Sequence, residues 1–426
     1  MAGYNPVERS IARLLERYPT LKSRIKRSYQ KANFYLFRDY GFEVETHPDV
    51  TLKTIEEEFG ANPLEGEVFF GYFDKNPWSP SGERGVVHRV ETDSRDAEVI
   101  VLSEDDHEVV GKTQLWNYQQ GAMAQWLPYS EDRVIYNCLI DGKYGSRIVT
   151  HEGIIERELQ TPIQIIHPER SQALTLNYRR LADVRPDYGY SPPSNYFKSL
   201  SHDEDGIWLL DLETGVRELI LDIQTLKTNQ PRPEMEGAKH WVNHLLFSPS
   251  GDQFVFVHRW EASEGRHSRL YLCEFNDGDS LTLLMDDSIV SHYCWLDEQT
   301  MVVWGNQRSY GSGYYKLDLT TGATEPLGDK NLSNYGDGHP NILHHSNVMV
   351  TDTYSDRARK RYLLLHNLKT QQTIPIAKLF DPLTYFGEQR CDLHPRPSFN
   401  GQKLSIDSTH TGERKSYVVS ILENPF

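Results

Sequence analysis

The sequence lacks several features that would assign the protein to a common class. Only 4 cysteines occur among 426 residues, and their spacing does not form a disulfide framework, so a reducing compartment is expected. No apolar run approaches the length of a membrane span, and the first residues lack the apolar core of a signal peptide. We therefore expect a cytoplasmic protein that does not bind membranes.

The chain also lacks an excess of positive charge. Lysine and arginine number 45 against 61 aspartate and glutamate, which gives a formal net charge of −16 at pH 7. A surface that binds nucleic acid needs a basic stripe, so nucleic acid is not an expected partner. Because the protein as a whole repels anions, an acidic substrate could bind only at a local group of basic side chains.

Common catalytic motifs are missing as well. The sequence has no Gly-x-Ser-x-Gly elbow, no P-loop, no dinucleotide-binding fingerprint and no His-Glu-x-x-His. These absences argue against an α/β-hydrolase, a nucleotide-dependent enzyme and a zinc peptidase of the common type. Any chemistry must come from residues that the fold brings together.

Two phrases recur in the second half of the chain. In the first, a histidine opens a strand–turn–strand pattern about every 50 residues, at His244, His292, His339 and His394. In the second, a strand ends in Asp-Leu or a related pair and is followed by a Thr-Gly turn, as at Gly215 and Gly322. A repeat of this length, built from short strands, is typical of a four-stranded propeller blade. We predict an all-β protein that forms a seven-bladed β-propeller.

The N-terminal part has a different pattern. Apolar residues recur at helical spacing between residues 6 and 38, and Pro19 divides this stretch into two predicted helices. We predict a helical extension over residues 1–64, which caps a propeller over residues 65–426. Residues 181–198 are rich in proline and glycine and are predicted to be a long loop that covers a pocket.

The propeller would bring the four histidines together, because equivalent positions of its blades converge on the central channel. Cys391 lies three residues before His394, and both could bind one ion only if the chain there departs from a regular strand. With His339 they make a possible ligand set, and a thiolate with two imidazoles favours zinc. The alternative is a buried structural cysteine beside polar residues at a channel rim.

Further candidates have side chains that suit an acidic sugar. Arginine binds carboxylates through two parallel hydrogen bonds, amides bind sugar hydroxyls, and a tyrosine and an arginine precede the predicted loop. The candidates are Arg269, Arg396, Asn117, Gln119, Gln120, Tyr178 and Arg179. Surface ion pairs and packing between blades are the structural alternatives for these residues.

Several short motifs resemble those of known propeller lyases. The stretch His394-Pro-Arg-Pro-Ser-Phe, continued by Ser405 to Ser408 and by Gly412-Glu-Arg, resembles the last blade of oligogalacturonate lyases. Asp74-Lys-Asn-Pro-Trp and Trp116-Asn-Tyr-Gln-Gln-Gly are similar to stretches of the lyases that act on ulvan and on rhamnose–glucuronate linkages. The resemblance covers most of residues 65–426.

This resemblance implies a metal-assisted lyase that cleaves uronic-acid-containing oligosaccharides or polysaccharides by β-elimination. By position, His292 corresponds to a catalytic histidine, Arg269 lies near a catalytic arginine, and His339 and His394 correspond to two metal ligands. Tyr178 is the one candidate for the catalytic tyrosine of the ulvan-type enzymes. His244 is expected to line the pocket.

The sequence also departs from the pattern of these lyases. Cys391 and Arg396 stand where oligogalacturonate lyases have a glutamine and a further histidine as metal ligands. Either the divalent metal is zinc rather than manganese, or the activity is altered or lost. The alternative function is a non-catalytic propeller that binds a glycan or a protein in a polysaccharide pathway.

Overall fold

The computed structural model describes residues 19–92, 94–190, 200–263, 265–275, 277–286, 289–328, 330–344, 346–422 and 426. Within these ranges the strands form seven antiparallel sheets, six of four strands and one of five. The seven-bladed β-propeller predicted from the repeats is thereby confirmed.

The N-terminal elements and the first three blades follow the chain in order. The N-terminal elements are α1 (Pro19–Phe37), β1 (Val44–Thr46), β2 (Val50–Thr54) and α2 (Ile55–Phe59). Blade 1 contains β3 (Glu67–Phe69), β4 (Gly85–Val90), β5 (Ala97–Ser103) and β6 (Asp106–Thr113). Blade 2 contains β7 (Gln125–Trp126), β8 (Arg133–Ile140), β9 (Lys143–Thr150) and β10 (Ile155–Leu159). Blade 3 contains β11 (Ile165–Ile166), β12 (Gln172–Leu176), α3 (Tyr178–Val184), β13 (Gly206–Asp211) and β14 (Arg217–Asp222), and α4 (Ile223–Thr228) follows it.

The remaining four blades repeat the same order of strands. Blade 4 contains β15 (Lys239–Phe247), β16 (Gln253–Ala262), β17 (Gly265–Glu274) and β18 (Asp277–Met285). Blade 5 contains β19 (Val290–Asp297), β20 (Thr300–Gln307), β21 (Gly311–Asp318) and β22 (Thr324–Pro326), and α5 (Lys330–Tyr335) follows it. Blade 6 contains β23 (Asn341–Ile342), β24 (Val348–Asp352), β25 (Lys360–Asn367) and β26 (Thr373–Phe380). Blade 7 contains β27 (Arg396–Pro397), β28 (Lys403–Ser408) and β29 (Lys415–Ile421). Short 3₁₀ helices lie at Pro233–Met235 and Gly387–Gln389.

Strands from the N-terminal part of the chain complete the last two blades. β2 pairs antiparallel with β29, from Val50 opposite Ile421 to Thr54 opposite Tyr417, and so gives blade 7 its fourth strand. β1 pairs with β26 and adds a fifth strand to blade 6. The predicted extension over residues 1–64 therefore contributes two strands to the propeller.

The recurring Asp-Leu-x-Thr-Gly phrase has a simple structural cause. Oδ1 of Asp211 accepts hydrogen bonds from the backbone nitrogens of Glu213 and Thr214, at 2.9 and 2.7 Å. Gly215 then adopts a φ of 73°, the left-handed conformation that glycine tolerates best. Asp318 makes the corresponding bonds to Thr320 and Thr321 in blade 5. The phrase thus marks the turn between the outer two strands of a blade.

The helices lie outside the sheets. The ring of Phe34 in α1 packs 5.9 Å from that of Phe380 at the end of β26 in blade 6. The part of the predicted helical stretch before residue 19 lies outside the described residues. The first residues of the loop predicted at 181–198 belong instead to α3, which ends at Val184 and whose N-terminus is capped by the Asn177 side chain. Residues 191–199 lie outside the described residues. None of the described helices combines the length and apolar character that a membrane span requires.

Candidate active site

The structure brings the four recurring histidines together at the central channel. His244 and His292 belong to the first strands of blades 4 and 5, and His339 and His394 directly precede those of blades 6 and 7. Ring centroids are 6.2 Å apart for His244 and His292, 4.2 Å for His292 and His339, and 4.3 Å for His339 and His394. Tyr72 of blade 1 closes the ring, 5.1 Å from His244 and 4.9 Å from His394. These five buried side chains form the channel cluster.

Hydrogen bonds fix the orientation of two histidines in this cluster. Nδ1 of His339 is 2.8 Å from Oδ1 of Asp352, and Nδ1 of His394 is 2.7 Å from the backbone oxygen of Gly71. Because both partners are acceptors, each Nδ1 carries a proton, and in the neutral ring Nε2 presents a lone pair. Both Nε2 atoms are buried and have no hydrogen-bond partner among the described residues. Such a pair of oriented imidazoles is what a metal site requires.

A carboxylate completes this group. The nearest ligand atoms of His339, Asp392 and His394 all lie within 4.8 Å of one another. Burial alone would raise the pKa of Asp392, but Arg361 and Arg390 hold it well below its usual value, so the group is ionised. Two imidazoles and a carboxylate fit a divalent ion such as manganese or zinc.

Cys391 lies outside this group, contrary to the sequence-based ligand set. Its thiol lies 4.0 Å from the backbone oxygen of Asp392, and burial raises its pKa to about 12. The chain before β27 is not a regular strand, and His394 adopts a left-handed φ of 49°. Asp392 thereby joins His394, while Cys391 lies near Arg414 and Asp407.

Two arginines and a tyrosine of the sequence-based site have structural partners elsewhere. Arg269 makes a double hydrogen bond to Asp286, at 2.7 and 2.9 Å. Arg396 donates to the backbone oxygen of Gly71 at 2.8 Å, which places it behind His394 and not in a pocket. The hydroxyl of Tyr178 donates to the Ile163 oxygen and to Gln164, both at 2.7 Å. The predicted substrate-binding or catalytic roles of Arg269, Arg396 and Tyr178 are therefore not supported by their positions.

The predicted sugar-binding amides brace loops near the channel. Oδ1 of Asn117 accepts hydrogen bonds from the backbone nitrogens of Gln119 and Gln120, and Nε2 of Gln119 donates to the backbone oxygen of Arg390 at 2.9 Å. Arg179 lies in the first turn of α3. As far as the structure describes the chain, these four residues do not line the large cavity.

That cavity, of about 1160 Å³, opens beside the channel cluster and is lined by His244 and His292. Among its described lining residues are nine lysines and arginines and six aspartates and glutamates. Basic residues thus outnumber acidic ones in the cavity lining, whereas the whole chain has 45 basic and 61 acidic residues. The cavity is therefore the kind of local basic site that an acidic ligand requires.

Arg259, on β16, is the arginine that the sequence interpretation missed. It is buried at the cavity wall, and its Nη2 donates to the backbone oxygen of Val290 at 3.3 Å. Its Nε has no hydrogen-bond partner in the described structure, and burial together with Arg185 lowers its pKa to about 10. A charged residue inside the apolar run of β16 was the available signal. A carboxylate would supply the missing partner.

His292 has the arrangement of a general base. Its Nδ1 is 3.0 Å from Oδ1 of Asp337, and the other oxygen of Asp337 accepts a hydrogen bond from Ser291 at 2.7 Å. Burial lowers the pKa of His292 despite the charge of Asp337, so the ring is neutral near pH 7. With the proton on Nδ1, the lone pair of Nε2 can accept another.

The backbone of His244 has a strained, left-handed conformation. It adopts a φ of 57°, where the register between β15 and β16 shifts. A left-handed conformation in a non-glycine residue costs roughly 1 kcal/mol and is concentrated at functional sites. His244 and His394 thus both occupy strained positions in the channel cluster.

Comparison with known proteins gives similarity in structure alone. No model of a known protein family and no curated protein matches the sequence. An oligogalacturonate lyase in complex with manganese matches 90% of this chain and 95% of its own, with 16% identity and a TM-score of 0.59. An oligogalacturonate lyase from Vibrio parahaemolyticus matches 89% of this chain and 98% of its own, with 13% identity and a TM-score of 0.60. TolB from Acinetobacter baumannii has a TM-score of 0.39 and 14% identity, over 80% of this chain and 82% of its own. The chain thus shares the seven-bladed propeller fold with oligogalacturonate lyases.

Proposed function

We propose that the protein is a metal-assisted lyase that cleaves uronic-acid-containing oligosaccharides by β-elimination. One observation carries this proposal: a neutral histidine, a buried arginine without a carboxylate partner and a His–Asp–His group lie around one basic cavity and channel. The likeness in fold to two oligogalacturonate lyases supports the reaction class, and the manganese in one of them supports a divalent ion.

Arg259 binds the carboxylate of the reacting uronate. Arg259 lines the cavity, and the Nε of its guanidinium has no hydrogen-bond partner in the described structure. The residue is close enough to His292 to influence the pKa of that ring. Positive charge at the carboxylate withdraws electrons from C5 and makes its proton more acidic. The arginine therefore both positions the sugar and prepares it for proton removal.

His292 removes the C5 proton through Nε2. The electron pair of the C5–H bond forms the C4=C5 double bond, the C4–O bond breaks, and the leaving oxygen is protonated by water. Asp337 holds the ring through Nδ1 and stabilises the imidazolium that forms. The proton then passes from His292 to solvent, which restores the base.

His339, Asp392 and His394 would hold the divalent ion, which supplies further positive charge for the carboxylate and the charge that develops beside it. Asp352 and the Gly71 carbonyl orient the two imidazoles. Burial would lower the pKa of His339, but Asp352 and the neighbouring acids raise it above its usual value. The surroundings therefore favour a positive charge at this point of the channel.

The reaction can be followed by the ultraviolet absorbance of the unsaturated product. The purified protein, supplied with manganese or zinc, is incubated with oligogalacturonates and other oligouronates, and we expect product from at least one of them. His292→Ala should reduce the rate by about a hundredfold or more, whereas His107→Ala, a change on the outer strand β6 of blade 1, should not. No product from any of these oligouronates would overturn the proposal. Tight binding without cleavage would favour a non-catalytic glycan-binding propeller.

A further inference from the structure

Helix α1 forms part of the cavity that contains the candidate active site. Arg27, Gln30 and Asn33 of this helix line the cavity together with His292 and Arg259. Arg27 also stacks over the ring of Phe386, 3.9 Å from its centroid, which fixes the helix beside the propeller. The helix is thus a wall of the cavity.

The charge of α1 differs from that of the rest of the chain. Residues 19–37 contain five lysines and arginines and no aspartate or glutamate, whereas the whole chain has a net charge of −16. A basic element beside a basic cavity attracts an anion that extends beyond the reacting group. α1 belongs to none of the seven sheets, so the basic residues of this helix are additional to the strands that build the ring.

Three arginines of the cavity form no ion pair within the described residues. Arg259 is buried beside the channel cluster, whereas Arg27 on α1 and Arg266 on β17 are exposed at the mouth. The other buried arginines differ, since Arg361, for example, is paired with Asp381 and Asp392. Arginines without an ion-pair partner among the described residues are therefore present both beside the channel cluster and on the exposed lining of the cavity.

The cavity is also larger than one sugar requires. Its volume of about 1160 Å³ exceeds the roughly 300–1,000 Å³ of pockets that bury a drug-sized ligand. If Arg259 binds the reacting carboxylate, most of this volume is left for neighbouring units. The exposed arginines then lie where further carboxylates would pass.

We infer that α1 and the start of β17 bind the acidic units beyond the one that reacts, so that the preferred substrate is an oligouronate longer than a dimer. This inference rests on the proposed function. Arg27 and Arg266 are its specificity-determining residues, and they act by charge on the outer units rather than on the chemical step.

Binding to oligomers of different length tests this inference. Calorimetry on the full chain, with manganese present, compares digalacturonate with hexagalacturonate. The wild type should bind the hexamer about tenfold more tightly. Arg27→Glu and Arg266→Glu should each weaken hexamer binding by about tenfold and leave dimer binding unchanged. Arg24→Glu is the matched control, because Arg24 lies on the same helix and does not line the cavity.

The outcomes separate this inference from the proposed function. Equal affinity of the wild type for both oligomers, or an equal loss in the Arg24 and Arg27 variants, would overturn the role of α1 and leave the lyase proposal standing. No binding of either oligomer would overturn the inference, whereas the lyase proposal is decided by the product assay with the full set of oligouronates. Thermal unfolding of each variant shows whether the change has disturbed the fold, and Arg266→Glu leaves α1 itself intact.

A basic helix can also bind an anionic membrane. Cosedimentation with phosphatidylserine vesicles distinguishes this case, and we expect none for the wild type. Vesicle binding that both the Arg24 and the Arg27 variants lose would mean that the helix binds lipid, and would contradict the inference.

Discussion

One oxygen of Asp352 accepts two hydrogen bonds from His339, one from the ring Nδ1 and one from the backbone nitrogen, each 2.8 Å long. The other oxygen accepts a bond from the backbone nitrogen of His394 at 3.0 Å. A single carboxylate therefore fixes two histidines that come from different blades.

Asp352→Asn should weaken metal binding by about 10- to 100-fold, because an amide cannot accept all three of these bonds. Titration calorimetry with manganese measures this affinity. Asp205→Asn is the matched control, since Asp205 is equally buried and bonds to Arg180 and Asn177 in blade 3. Equal losses of affinity in the two variants would show that Asp352 acts only through stability.

Cys391→Ser and Asp392→Asn distinguish the two possible ligand sets, in which either Cys391 or Asp392 joins the two histidines. Elemental analysis of the purified protein should give about one divalent metal per chain in the wild type and in Cys391→Ser. Asp392→Asn should lose at least about nine-tenths of this metal under the same conditions. The reverse result, with metal lost only from Cys391→Ser, would restore the thiolate predicted from the sequence.

The two buried arginines of blade 4, Arg259 and Arg269, should respond oppositely to replacement by methionine. Arg259→Met removes a buried charge without a carboxylate partner and should raise the free energy of unfolding by about 1 kcal/mol, while lyase activity is lost. Arg269→Met leaves Asp286 with Arg232 as its ion-pair partner and leaves the backbone oxygens of Asn229 and Gln230 without the arginine donor. It should lower the free energy of unfolding by about 2 kcal/mol. Urea unfolding measures both effects, and a decrease in both variants would contradict a carboxylate-binding role for Arg259.

Stability should fall as the pH drops below about 6.5. Burial lowers the pKa values of His88, His240 and His410 to about 4. Between pH 6.5 and 4 the unfolded chain therefore binds more protons than the folded chain, and each histidine contributes up to about 1.4 kcal/mol per pH unit. His410→Gln should reduce the slope of unfolding free energy against pH by about one proton. An unchanged slope in urea titrations would show that His410 does not contribute.

The fold could be predicted because its repeats appear directly in the sequence. The histidine phrase recurs at the inner strand of each of the last four blades, and the Asp211 turn has a counterpart at Asp318. Closure of the ring could not be predicted, because nothing in Val50–Thr54 identifies Lys415–Ile421 as its partner. Such a pairing depends on contacts that are distant in sequence.

The candidate site was predictable only where it follows the repeat. The equivalent positions of the four histidines in the repeat indicated the channel cluster. Asp337 and Asp352 do not recur in the repeat, and only the folded chain brings them within hydrogen-bond distance of His292 and His339. Asp392 was missed because the chain before β27 leaves regular strand geometry. For Arg259 the sequence shows a charged residue inside the apolar run of β16, but its burial and the missing partner of its Nε are evident only in the structure.

The pairing of β2 with β29 gives the ring a seam at which mechanical tension would open it. Both N-terminal strands lie at sheet edges, so a force applied before α1 would peel β1 from blade 6 and β2 from blade 7, one hydrogen bond after another. Blade 7 would then keep three strands and the ring would open. Because α1 lies on this same segment, the cavity would lose its basic wall before any blade unfolds.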